Sequence, residues 1–150
     1  MLQRLARRAR ELMKHPTKQA ADFNPDSLNA IRAHLRLSGI SAKEATFAMI
    51  ARLALRSWVD ALDAKEKVDV RQVRADIEER YAATNIVSKQ IGVAAGELTD
   101  LPDAIYKHLN DKAQLAPYLT NNRHKTPNRR LIIYLAVERY ARSVAPHRAP

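Results

Sequence analysis

The chain has 150 residues, 46% of them hydrophobic, with no cysteine, three glycines and a formal net charge of +10. That length and apolar fraction suit one compact domain, and the missing thiols exclude disulfides, cysteine-ligated zinc and thiol catalysis. Scarce glycine disfavours sheets joined by tight turns, and no apolar run approaches the ~18 residues that span a bilayer, so a small, mainly α, cytoplasmic protein is expected.

Residues 1–15 (MLQRLARRARELMKH) place Leu2, Leu5, Ala9, Leu12 and Met13 at helical spacing. A basic amphipathic helix is predicted over 2–14, ending before Pro16 because the residue before a proline avoids the α region. Mitochondrial presequences look similar, but this helix runs into the chain with no Ser-rich segment between. Residues 16–145 are expected to form a single helical domain. Within it, 16–24 read as loop or extended chain, and Pro25-Asp26-Ser27 opens a helix in which Asp26 and Ser27 are the capping candidates. Leu28, Ile31 and Leu35 give that helix its apolar side, and Ser38-Gly39 ends it.

Ser41 and Glu44 have capping-box spacing, which predicts a helix from Ser41 to about Leu62. Phe47, Ile50, Ala51, Ala54, Leu55, Trp58 and Leu62 form its broad apolar face. Residues 63–69 read as a polar linker and 70–83 as a charged helix. Asn85 to Gly92 is expected to continue helical after a break, with residues 92–96 as a joint. Residues 97–101 (ELTDL) read as strand or loop, and Pro102-Asp103 as the start of a helix reaching Leu119. A polar loop follows, and Thr126-Pro127 opens the last helix. The apolar run Leu131–Val137 requires that helix to be buried around most of its circumference. Residues 146–150 are expected to be a disordered tail.

The charge is uneven. Residues 1–18 hold six bases against one acid, residues 121–150 hold seven against one, and 19–120 sum to −1. Basic segments attract phosphates by releasing condensed counterions, and arginine, which dominates here, chelates phosphate oxygens or guanine edges in pairs. Arg4, Arg7, Arg8, Arg10, Arg123, Lys125, Arg129 and Arg130 are therefore the candidate phosphate contacts.

Two stretches look alike. Asn24-Pro25-Asp26 leads into a helix, a turn and a long apolar helix holding Leu53 to Trp58; Leu101-Pro102-Asp103 leads into a helix, a polar turn and a long apolar helix holding Leu135 to Tyr140. A short extended segment, a Pro-Asp helix start, a helix ending in Gly39-Ile40-Ser41 and a long apolar helix resemble the ribbon-helix-helix DNA-binding proteins, most closely over Leu28 to Trp58. The resemblance implies two units, 17–62 and 97–143, supplied by a homodimer or held as an internal pseudo-dimer in one chain, as in some accessory proteins of plasmid conjugation. It implies ribbon strands at Thr17–Phe23 and Glu97–Leu101 entering the major groove of duplex DNA. Thr17, Lys18 and Gln19 would read bases, and Ser41 would contact a phosphate. The acids Asp22, Glu97 and Asp100 depart from that pattern, since they repel the DNA backbone. Ile86–Val93 also resembles the first helix and turn of a helix-turn-helix unit, whose base readers would fall at Ala94–Leu98.

Nothing points to catalysis. The five histidines lack metal-ligand spacing, no phosphate-binding glycine loop is present, and the acid pairs sit in polar surroundings. No enzyme activity, metal or cofactor is expected. The residues read as a DNA-binding protein acting by site occupancy, a transcriptional regulator or an accessory factor of plasmid transfer or maintenance. The alternative is a helical adaptor or inhibitor, phage-, plasmid- or secretion-system-associated, that binds a protein partner and has only non-specific polyanion affinity.

Overall fold

A computed structural model describes residues 18–92, 97–110, 115–121, 123 and 125–145. The predicted helix over 2–14, with Arg4, Arg7, Arg8 and Arg10, and the tail over 146–150 lie outside these residues. The described chain is mainly helical, with two small antiparallel sheets of short strands. In order, the elements are β1 (Lys18–Phe23), α1 (Pro25–Leu37), α2 (Phe47–Asp63), α3 (Val70–Ala82), β2 (Val87–Gly92), α4 (Glu97–Leu109), α5 (Ala116–Leu119), β3 (Thr120–Asn121), β4 (Thr126–Pro127) and α6 (Arg129–Val144). None of the described helices is long and apolar enough to cross a membrane.

Local chemistry explains most boundaries. The α1 cap is Asn24, whose side chain accepts from the Asp26 N–H at 3.0 Å, rather than Asp26 or Ser27. Pro25 sits at the first turn, where its missing N–H has no helical partner to lose. Gly39 takes φ +84° just past the α1 end, a conformation with little cost only for glycine. Ser41 and Glu44 do meet: the Glu44 N–H donates to Ser41 Oγ at 3.3 Å, as in a capping box, while Glu44 Oε1 accepts from the Ser41 hydroxyl at 3.0 Å rather than from a backbone N–H. They close an isolated turn, however. The long helix starts six residues later, at Phe47, because Thr46 accepts from the Met49 N–H and forms the cap.

The second strand is where the sequence reading departs from the structure. Glu97–Leu101, expected as ribbon, is the first turn and a half of α4. Its apolar spacing runs on through the proline, with Leu98, Pro102, Ile105 and Leu109 all buried. Glu97 and Asp100 lie in the first turn, where carboxylates favour the positive end of the helix dipole. Pro102 thus lies inside a helix rather than opening one. The strand is instead Val87–Gly92, expected as helix, and the helix-turn-helix alternative falls with it.

β1 and β2 pair antiparallel, Lys18 opposite Gly92 and Phe23 opposite Val87. In chain order the described elements run strand, helix, helix twice, as β1-α1-α2 and as β2-α4-α6 with α5 and the β3–β4 hairpin inside the second run; α3 lies between the two runs, and their opening strands are side by side. Alternation along the strands puts Gln19, Ala21, Phe23, Val87, Lys89 and Ile91 on one face. Ala21, Phe23 and Ile91 are buried there, and β1 packs on α6 while β2 packs on α2. α6 is the centre of the molecule, with β1 and the helices α1 to α5 gathered around it. Every residue from Leu131 to Glu138 is buried, as the apolar run requires. The one acid in that run, Glu138, accepts a hydrogen bond from Ser27 of α1.

Candidate nucleic-acid interface

The ribbon's other face carries Lys18, Ala20 and Asp22 opposite Gly92, Gln90 and Ser88. Lys18, Ser88, Gln90 and Gly92 are exposed, while Ala20 is half-buried. Two long polar side chains, Lys18 and Gln90, therefore stand above a floor of small residues. Gln90 has no place in the sequence reading, because its segment was expected to be helical. Its signal is the period of two in Val87, Lys89 and Ile91 against Ser88, Gln90 and Gly92, obscured by the charge on Lys89. Gln19 does not join Lys18. Strand alternation turns it to the opposite face, and its amide donates to the Ala20 carbonyl at 2.9 Å.

Asp22 lies on the outer face but is only 2% exposed as a side chain. Arg130 binds it through Nε at 2.8 Å and a terminal nitrogen at 2.7 Å. Arg80, from the end of α3, contributes bonds of 2.9 and 2.6 Å. Ser88 Oγ, directly across the ribbon, donates to it at 2.7 Å. Burial alone would raise the pKa of this carboxyl, but the bonds from Arg130, Ser88 and Arg80 outweigh it and hold the group at about 2. The repulsive acid of the sequence reading is therefore enclosed by two guanidinium groups, and this end of the ribbon has a net positive charge.

The C-terminal basic cluster is used differently from the expectation. Arg129 forks onto Asp103 with two bonds of 2.9 Å, and Arg130 holds Asp22. Arg139 reaches Glu66 at 2.9 Å, and Arg142 chelates Asp76 at 2.9 and 2.8 Å. Four arginines that look like one basic patch in the sequence are thus tied to four carboxylates from elsewhere in the chain. Arg130 remains 47% exposed on the side chain and can still meet a phosphate edge-on. Arg123 and Lys125 are exposed beside the β3–β4 hairpin, and Lys125 adopts φ +51°.

A second positive feature lies at the start of α2. The Phe47 ring packs against Phe23 with centroids 5.1 Å apart. The Arg32 guanidinium lies 5.1 Å from the Phe47 centroid and the Lys89 ammonium 5.5 Å from it, distances at which cations are attracted to the ring face. One aromatic ring thereby gathers a cation from α1 and another from β2 beside the helix N-terminus. Ser41, the expected phosphate contact, is exposed but belongs to the turn preceding this helix.

Among the described residues no three His, Asp or Glu side chains converge as a metal site requires. Comparison with family models, curated proteins and solved structures finds no match to this chain.

Proposed function

We propose that this protein binds duplex DNA by seating the β1–β2 ribbon in the major groove, in the manner of the ribbon-helix-helix proteins, with both strands supplied by one chain. It acts by occupying its site, as a regulator or as an accessory factor of plasmid transfer or maintenance. The observation that carries the reading is the antiparallel pairing of two short strands, each opening a strand–helix–helix half, with an outward face of long polar and small residues. A two-stranded ribbon fits the width of the major groove. Lys18 would donate to guanine O6 and N7, and Gln90 would pair with adenine N6 and N7. Arg32 and Lys89, beside the first N–H groups of α2, would meet a backbone phosphate and set the register. With both strands in one chain, the two half-sites need not be identical, because β1 presents an ammonium at Lys18 and β2 an amide at Gln90.

The test is binding to random duplex and to DNA from the protein's own genetic neighbourhood, each at two salt concentrations. A specificity ratio that survives the higher salt supports the reading. Lys18→Ala with Gln90→Ala should lower that ratio by about tenfold or more. Arg32→Ala with Lys89→Ala should instead weaken binding to every sequence and reduce the salt slope by about two. Equal, salt-labile binding to all duplexes would replace the reading with a helical adaptor.

A further inference from the structure

Beside the Asp22 end of the ribbon lies an open groove of about 660 Å3, lined by Tyr81, Pro117, Tyr118, Thr120, Asn121, Arg123 and Asn128. Through Tyr81 and Asn128 it joins a smaller cleft of about 260 Å3 that holds Arg80, Arg130 and Asp22. Tyr81 is 64% and Tyr118 41% exposed, two of the three large apolar side chains that stand out most from the described surface. Both rings open onto one concavity. The cations around them are Arg80, Arg123 and Arg130, and the one carboxylate among the lining residues, Asp22, is already occupied by two of these. The Arg80 guanidinium also lies 5.8 Å from the Tyr81 ring centroid.

From this juxtaposition of Tyr81, Tyr118 and Arg123 in one groove, with Arg130 half-exposed in the adjoining cleft, we infer a second binding site, for single-stranded nucleic acid. Tyrosine faces accept any base by stacking, and Arg123 in the groove, with the exposed edge of Arg130 beside it, would neutralise the connecting phosphates. Stacking is independent of sequence, because every base has a π-face. Asn121, Asn128 and Thr120 add polar groups at the base edges. The groove is too open and too basic for an apolar peptide, and its rings distinguish it from a surface that merely attracts anions. It is built from α3, α5 and the β3–β4 hairpin, outside the ribbon face, so it stands whether or not the ribbon binds duplex.

Fluorescence anisotropy with labelled oligo(dT) of twelve nucleotides, a labelled random duplex and a labelled poly-glutamate peptide tests it on the full chain. Oligo(dT) should bind, and Tyr81→Ala with Tyr118→Ala should weaken it by about tenfold or more, as the loss of one or two stacked bases requires. The same variant should bind the duplex within about twofold of the wild type and keep its melting temperature. Arg123→Ala should weaken oligo(dT) less, and less still as salt rises. Lys18→Ala with Gln90→Ala should leave oligo(dT) binding intact, which separates this site from the ribbon. The proposal is overturned if wild type does not bind oligo(dT), if the tyrosine variant binds it unchanged, if that variant loses duplex equally, or if poly-glutamate binds as well as oligo(dT).

Discussion

α2 and α6 close the two halves of the chain, yet they are buried in different ways. α2 keeps one apolar face inward, with Ile50, Ala51, Ala54, Leu55, Trp58 and Leu62 buried and Arg56 and Asp60 in solvent. α6 has eight consecutive buried residues. α6 is the more enclosed because β1 and the helices α1 to α5 all pack on it, whereas α2 packs chiefly on α6, α4 and β2; α3 adds a further wall, pinned to α6 by Arg142 and Asp76. Two separate copies of one unit would bury corresponding helices equally. A single chain whose elements do not repeat evenly does not, and the apolar run in α6 meets the elements that surround it on all sides.

The largest expected effect probes that asymmetry directly. Leu135→Ala, at a site 1% exposed in α6, should cost about 3 kcal/mol in urea unfolding, through lost transfer energy plus a cavity. Leu53→Ala, at the position aligned with it in the first half and only half-buried, should cost about 1 kcal/mol. Equal losses would break the comparison.

Next comes the ion cluster that joins the halves. Asp22 falls from its ordinary 3.8 to about 2 in the fold, so its contribution is fully present above about pH 4 and is lost as pH falls toward 2. Asp22→Asn should therefore cost about 2 kcal/mol near neutral pH. The gap between variant and wild type should close as pH is lowered through that window. The arginines left behind are 23% and 47% exposed and can rehydrate, which keeps the loss moderate. A gap independent of pH from 2 to 5 would mean that the carboxylate's charge contributes nothing.

The smallest effect is where the halves should agree. Thr46 caps α2 and Asn128 caps α6, each accepting from an N–H three residues on at 3.2 Å. Thr46→Ala and Asn128→Ala should each cost about 1 kcal/mol in the same unfolding measurement. A much larger loss at Asn128 would show that this side chain also holds the β3–β4 hairpin in place.

The mainly helical class, the helices at 25–37 and 70–82, the C-terminal end of the long helix near Leu62, the extended segment before Pro25 and the burial of α6 were legible in the sequence, whereas the start of the long helix at Phe47 was not. Each of the legible features is written locally, in apolar spacing, a cap or a proline. That Val87–Gly92 is a strand follows from its long-range pairing. Six residues with one interrupted alternation carry little preference of their own, and their hydrogen bonds come from a partner strand at Lys18–Phe23. The same holds for the charge. Arg130 and Asp22 lie 108 residues apart in the chain and 2.7 Å apart in space. A sum over a segment therefore counts the basic C-terminal end at full value, whereas the fold sets four of its arginines against carboxylates. Lys18 on the ribbon, Lys89 beside the start of α2 and Arg123 in the tyrosine groove remain exposed, and electrostatic attraction there depends on which charges the fold leaves unpaired.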